Sequence, residues 1–315
     1  HFNARRWKSP NLAISSIAGN IEGHNVYVAD LILRRDRVAE TVKELITEYQ
    51  PDVVGLTAMS FQFATARRIA SLIKNLNKDI KIVLGGYHAT LMYDEICKSE
   101  ESEPFDFLVR GEGDICFTEL LEAINGKRAI ESVLGISFRN GGCFIHNSPR
   151  PLEDLSKIKI PDRSKRIWKG YQYYGFTLDI VESSRGCLMP CNFCSIDKMY
   201  GKTFRRFSVE RILADISNAK QQGANFILFS DDNFTLDVKG FESLCDAIVD
   251  AGHNDIRYII QASSTGIASS NTLVEKMARA GFRIVFLGIE NVSEENLRLM
   301  KKGNIIEKTK LAVKR

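Results

Sequence analysis

Three cysteines fall within eight residues: Cys187, Cys191 and Cys194, in the stretch 183–196 that reads SSRGCLMPCNFCSI. Thiolates are the ligands of iron–sulfur clusters. Three on one loop suit three irons of a [4Fe–4S] cube and leave the fourth iron open to a small molecule. The preceding residues 177–183, TLDIVES, read as a strand. The cysteines then lie on the loop leaving its C-terminal end, where α/β proteins keep their chemistry. A zinc site asks for four ligands, usually in paired spacings; no second such pair exists and the five histidines are scattered. A disulfide framework does not suit 315 residues with an odd seven cysteines and no visible secretory leader. A buried apolar thiol is the ordinary fate of a lone cysteine, but not of three at this spacing beside Gly186 and Pro190.

Those cysteines must be positioned by a barrel-like succession of elements. Ser208 reads as the N-cap of a helix with Val209, Ile212, Leu213 and Ile216 inward and Arg211 where a capping box would place Glu. Strands are predicted over 225–230, 256–262 and 283–290, with helices between and after them: one carrying Phe241, Leu244, Cys245, Ile248 and Val249, then 271–280 and 293–302. That makes four consecutive β/α units. Their strand ends carry Asp231, Asp232, Asn233, Gln261, Ser263 and Glu290, all able to hydrogen-bond an ammonium group or a ribose. For Asp232 and Asn233 helix capping is the competing role. Arg185 is placed to pair with Glu182 or to tune the cluster.

The first half alternates in the same way. Helices are predicted over 11–22, 36–50, 63–76 and 114–125, and strands over 25–31, 53–58, 80–84 and 105–109. The nearly continuous apolar run 53–58 reads as a parallel strand covered on both faces. Residues 133–138 and 143–146, joined by Asn140-Gly141-Gly142, form a hairpin. Such alternation with short loops argues for a doubly wound parallel sheet. Three strand ends are small or glycine-rich: 57–61 (TAMSF), 85–88 (GGYH) and 110–113 (RGEG). Glycine lets a backbone approach a bulky ligand closely, although such glycines also serve as plain turns. No Gly-x-Gly-x-x-Gly follows a strand, so this is not a dinucleotide fingerprint. Residues 147–176, rich in Pro and charge, read as a linker whose Trp168, Tyr171, Tyr173 and Tyr174 pack onto one domain. His24, His146 and His253 read as surface or packing residues.

Composition sets the bounds. The chain is 44% hydrophobic and 26% charged, as a globular protein with a real core should be. A net charge of +4 is too small to argue for nucleic acid; the basic stretch 157–211 is a solvated face or meets an anionic cofactor or partner. No apolar run approaches the roughly 18 residues of a membrane span. Free thiols and a cluster point to a reducing cytoplasm. The chain opens at His1 without an initiator Met and closes in a predicted helix at Arg315, so both ends are expected to continue in a longer protein.

The pattern Cys187-x-x-x-Cys191-x-Phe193-Cys194, with an aromatic before the last cysteine, resembles the signature of the radical S-adenosylmethionine (SAM) enzymes. The runs GLTAMS at 55–60, LGGYHA at 84–89 and VRGEGD at 109–114 are similar, in order and spacing, to the cobalamin-binding domain that precedes the barrel in one large subgroup. The resemblance implies an α/β architecture in three parts. Residues 1–146 are a Rossmann-like cobalamin domain lacking its usual first strand, 147–176 a linker, and 177–315 a partial (β/α)6 barrel whose last two units are missing. It implies that Cys187, Cys191 and Cys194 hold the cluster and that Phe193, Asp231, Asp232, Asn233, Gln261 and Glu290 meet SAM. Cobalamin then falls to Thr57, Ala58, Ser60, Phe61, Gly85, Gly86, His88, Gly111, Glu112 and Gly113. No Asp-x-His-x-x-Gly is present, so His88 meets the nucleotide tail or is structural and is not a cobalt ligand.

By the same resemblance, one SAM methylates cobalamin and another yields a 5′-deoxyadenosyl radical. The radical takes a hydrogen from the substrate, which then accepts the methyl group. The implied activity is methylation of an unactivated carbon in a small molecule, lipid, tetrapyrrole or peptide, with an electron donor such as flavodoxin or ferredoxin. No general base is assigned. Cyclisation or rearrangement, as in the anaerobic porphyrin-ring cyclases, is the alternative. A tRNA methylthiotransferase would need a second cluster, and Cys97, Cys116 and Cys143 are too dispersed to hold one. A non-enzymatic binding module is the reading furthest from these motifs.

Overall fold

The computed structural model describes residues 7–315. The described residues form two compact units, one of residues 13–168 and one of residues 169–315 that also includes residues 7–12.

In the first unit, strands Val53–Thr57, Lys81–Gly85 and Phe107–Val109 run parallel in sequence order, and the hairpin Ile136–Asn140/Cys143–His146 extends the sheet antiparallel. Side chains alternate across a strand, and the core divides accordingly. Ile82, Leu84 and Leu108 face one cluster with Phe63, Ala66, Ala70 and Ile73 of helix Phe63–Leu76. Val83, Val109 and Ile136 face the other with Cys116 and Leu120 of helix Gly113–Ile124. Both faces are therefore covered by helices, as the alternation implied.

Two local expectations are corrected. Residues 25–31 are not a sheet strand: Val28 makes a single parallel bridge to Arg166, and Asp30 accepts the Ile32 amide to start the turn Leu31–Arg34. A short polar side chain offered the backbone a local partner before a ladder could form. Val53–Thr57 is only half-buried, because among the described strands it pairs on one side alone.

In the second unit, strands Phe176–Val181, Phe226–Phe229, Arg257–Ser263 and Phe282–Gly288 are parallel neighbours in sequence order. Gln172–Tyr173 and Trp7–Lys8 add antiparallel edge pieces. Helices Val209–Gln221, Val238–Asp250 and Asn271–Ala280 return the chain between strands, with Ser208 accepting the Arg211 amide at the first of them. Phe229, Phe234, Phe241, Tyr258 and Phe282 meet edge-on, tilted or stacked, with centroids 4.3–6.1 Å apart. Such pairs add to area burial, and Tyr258 satisfies its hydroxyl on the His253 carbonyl. The short helix Ser264–Ser269 has no counterpart in the periodicity. Trp168 lies beneath Arg34 in the first unit, while Tyr173 stacks on Phe226 in the second. Among the described residues no helix is long and apolar enough to cross a membrane.

Candidate active site

The cysteine loop leaves strand Phe176–Val181 and is closed at its base by a short antiparallel pair, Ser184–Arg185 with Arg205–Arg206. Arg185 Nε donates to both Glu182 oxygens, at 3.0 and 3.1 Å. Gly186 turns the chain at φ +91°, and a Cβ there would stand 2.3 Å from the Thr203 carbonyl oxygen. Cys187 and Cys191 are half-buried and Cys194 is exposed. Burial raises the Cys187 and Cys191 thiols, and Cys194 acts electrostatically on both, so the three share one neighbourhood. Phe193, on the same loop, is 55% exposed.

Gly186→Ala is therefore expected to cost about 3 kcal/mol, from αL strain and the backbone collision together. The loss should appear as a lowered denaturant midpoint and as reduced iron per chain after reconstitution.

Beneath the loop lie the residues after the second strand. Asp231 is 1% exposed, and its oxygens take the Ser183 amide at 3.0 Å and the hydroxyls of Ser183 and Ser184. Burial pushes its carboxyl up to about 6, against the lowering pull of those hydrogen bonds. Asp232 takes the Gly186 amide at 2.9 Å; burial raises it, while that bond and the Arg185 charge lower it. Asn233 hydrogen-bonds Cys187 and caps the turn at Thr235. Thr235 passes the connection to Ser263 at the third strand end, 3.0 Å away, and the Ser264 hydroxyl reaches the Gly288 carbonyl on the fourth. A chain of side-chain bonds thus crosses all four strand ends. Gln261 is exposed. Glu290 sits at φ +61°, unusual for a non-glycine, and pairs with Lys302 at 2.9 Å.

At the first unit's strand ends the backbone closes tightly. Ala58 donates to the Gly85 carbonyl at 3.1 Å and accepts the His88 amide at 3.1 Å. Gly86, at φ +90°, could carry no Cβ: Thr57 Oγ1 stands 2.6 Å from its position. Thr90 accepts the Gly111 amide and donates to the Gly86 carbonyl, tying the second and third ends together. His88 bonds Ser60 at 3.1 Å and packs on Phe63; burial lowers its pKa. Glu112 is buried and accepts the Glu153 amide, and Gly113 rests against Ile17. Phe61 is 82% exposed and Gly111 faces open space, with nothing within 4 Å of where a Cβ would be.

Residues 6–121 match the B12 binding domain and residues 181–315 match the Radical SAM superfamily. The chain thus carries a B12 binding domain followed by a radical SAM domain. An uncharacterized methyltransferase of Pyrococcus horikoshii is 32% identical over 301 residues, 93% of this chain and 63% of that protein. The anaerobic magnesium-protoporphyrin IX monomethyl ester cyclase of Rubrivivax gelatinosus is 30% identical over 291 residues, 89% and 51% respectively. The chain thus spans between half and two thirds of these relatives. The radical SAM methyltransferase TsrM from Kitasatospora setae, solved with tryptophan substrate and a SAM analogue, superposes with TM-score 0.80 at 21% identity, covering 98% of this chain and 62% of that one. At that identity the likeness is one of fold.

The residues present fit the groups that this family carries. Among the described residues no three His, Cys, Asp or Glu side chains converge as a single metal ion would require. An iron–sulfur cube takes one thiolate per iron, and the loop offers Cys187, Cys191 and Cys194. Cys116 and Cys245 differ from the loop thiols: both are fully buried and pushed up to about 12. On the first unit, the glycine turn at Gly86, the open space at Gly111 and exposed Phe61 leave room at the strand ends, and His88 is engaged by Ser60. Sequence reading missed Thr90, Lys302 and the Arg205–Arg206 pairing. Thr90 lay one helical turn beyond Gly86; the other two had no local signal.

Proposed function

We propose that this chain is the cofactor-bearing part of a cobalamin-dependent radical SAM methyltransferase that methylates an unactivated carbon. The observation carrying the reading is the cysteine loop held at a parallel strand end by Asp231, Asp232 and Asn233, in a chain that also has a B12 binding domain. The methyltransferase relative supports methyl transfer, and the cyclase relative keeps ring closure as the second reading. Bound there, the cluster with SAM supplies a hydrogen-abstracting radical, and cobalamin supplies a transferable methyl group. The chain's own task is positioning and exclusion of water. Cys187, Cys191 and Cys194 hold the cluster, and Phe193, Gln261 and Glu290 border SAM. Asp232 and Asn233 reach SAM from the loop they support, and Asp231 acts through Ser183 and Ser184. Thr57, Ala58, Ser60, Phe61, Gly85, Gly86, His88, Gly111, Glu112 and Gly113 form the cobalamin surface, with Glu112 and Gly113 setting its backbone. The substrate is a small molecule, lipid, tetrapyrrole or peptide. A one-electron donor of the flavodoxin or ferredoxin kind serves it in a reducing cytoplasm.

The test is anaerobic reconstitution with iron, sulfide and cobalamin. Candidate substrates are then incubated with methyl-labelled SAM and a reductant. A product heavier by one labelled methyl in place of hydrogen supports methylation. An unlabelled product lighter by hydrogens overturns it in favour of cyclisation.

A further inference from the structure

Lys302 does not belong to any motif, yet the fold carries it to the cysteine loop. Asn192, next to Cys191, donates its amide to the Met300 carbonyl at 3.3 Å and its side-chain nitrogen to the Leu299 carbonyl at 2.8 Å. The segment 299–302 is thereby fastened against the loop. Lys301 lies at φ +55° and turns the chain so that Lys302 points inward. The Lys302 side chain is 11% exposed and its ammonium reaches Glu290 at 2.9 Å. A Cβ added to Gly288 would meet both Glu290 Oε1 and Lys302 Nζ at 3.2 Å, so glycine makes room for the pair.

An exposed ion pair contributes little to stability. Here the lysine is largely buried while the Glu290 side chain stays 31% exposed, and both segments place a non-glycine residue in the left-handed region, which costs of order 1 kcal/mol each. Strain held beside a reactive group points to a role in that group's chemistry.

We propose that Lys302 is the positioning residue of the cluster: it holds Glu290 at the fourth strand end and sets positive charge beside the cysteine loop to which its segment is tied, making the cluster easier to reduce. The inference rests on the reading of Cys187, Cys191 and Cys194 as cluster ligands. Reduction adds one electron from an external donor and no proton to an assembly already made negative by its thiolates. A nearby cation stabilises the reduced form more than the oxidised one, and an anion does the opposite.

The test is a potentiometric titration with dithionite on reconstituted protein without SAM, followed by electron paramagnetic resonance. Lys302→Met, which keeps length and loses charge, should shift the midpoint to lower potential, and Lys302→Arg should restore it. Glu290→Gln should shift it the other way, and reads the charge effect even if Lys302→Met incorporates iron poorly. A wild-type midpoint in Lys302→Met with full iron content, or shifts of the same sign in Lys302→Met and Glu290→Gln, overturns the proposal. A wild-type chain that assembles no cluster overturns instead the assignment of the three cysteines.

Discussion

Replacing Cys187, Cys191 or Cys194 by Ala should abolish the iron–sulfur chromophore and reduce SAM cleavage to background, each substitution alone being sufficient. Three thiolates leave no spare ligand: the cube loses one of the bonds that hold it to the chain, and no other cysteine on the loop can substitute. Cys143 stands exposed on a hairpin strand of the first unit, and Cys116 and Cys245 are sealed in the two cores. The contrast makes the test specific. Cys143→Ala should leave iron content unchanged. Cys245→Ala should also keep the chromophore while costing about 1 kcal/mol of stability, since it removes one buried atom from a packed helix. Iron and sulfide analysis after anaerobic reconstitution, beside a denaturant melt, separates the two kinds of loss. Retention of a full cluster in all three loop variants would refute the assignment.

Asp231→Ala should destabilise the second unit by about 3 kcal/mol and deplete the cluster with it. The substitution strands a buried Ser183 amide and removes the acceptor shared by two hydroxyls; each unmet buried group costs ~1–3 kcal/mol, and rotating hydroxyls recover part of that. Its pH dependence identifies the group. The Asp231 carboxyl is pushed up to about 6 from 3.8 by burial, so the folded chain binds its proton more tightly than the unfolded chain. This group's contribution is therefore fully present below about pH 4 and is lost as the pH rises through about 6. Asp231→Asn cannot titrate. The stability difference between wild type and Asp231→Asn should consequently shift in favour of wild type as pH falls from 7 to 4. A pH-independent difference in urea midpoints would show that the carboxyl titrates as it does in the unfolded chain.

Much of the architecture was legible. The period of Phe63, Ala66, Ile69, Ala70 and Ile73 marked a helix because one face of it had to be buried. Ser208 marked a helix start because its oxygen satisfies an otherwise orphaned amide. Residues 25–31 misled because Val26, Tyr27 and Val28 carry strand propensity, while Asp30 supplies a turn partner that propensity does not count.

Alone, the sequence determined the three closely spaced thiols of the loop, the glycines at the strand ends and the alternation of the two units, since each depends on residue type and short-range spacing. Only the tertiary structure decided how the polar residues divide their work. Asp231 meets Ser183 across 48 positions and Asp232 meets Gly186 across 46, while Glu290 pairs with Lys302, 12 positions on. A carboxylate at a strand end looks the same in sequence whether it anchors a loop or faces a ligand. Which of these it does depends on the donors that distant strands bring within hydrogen-bond reach, and those meet only when the sheet closes.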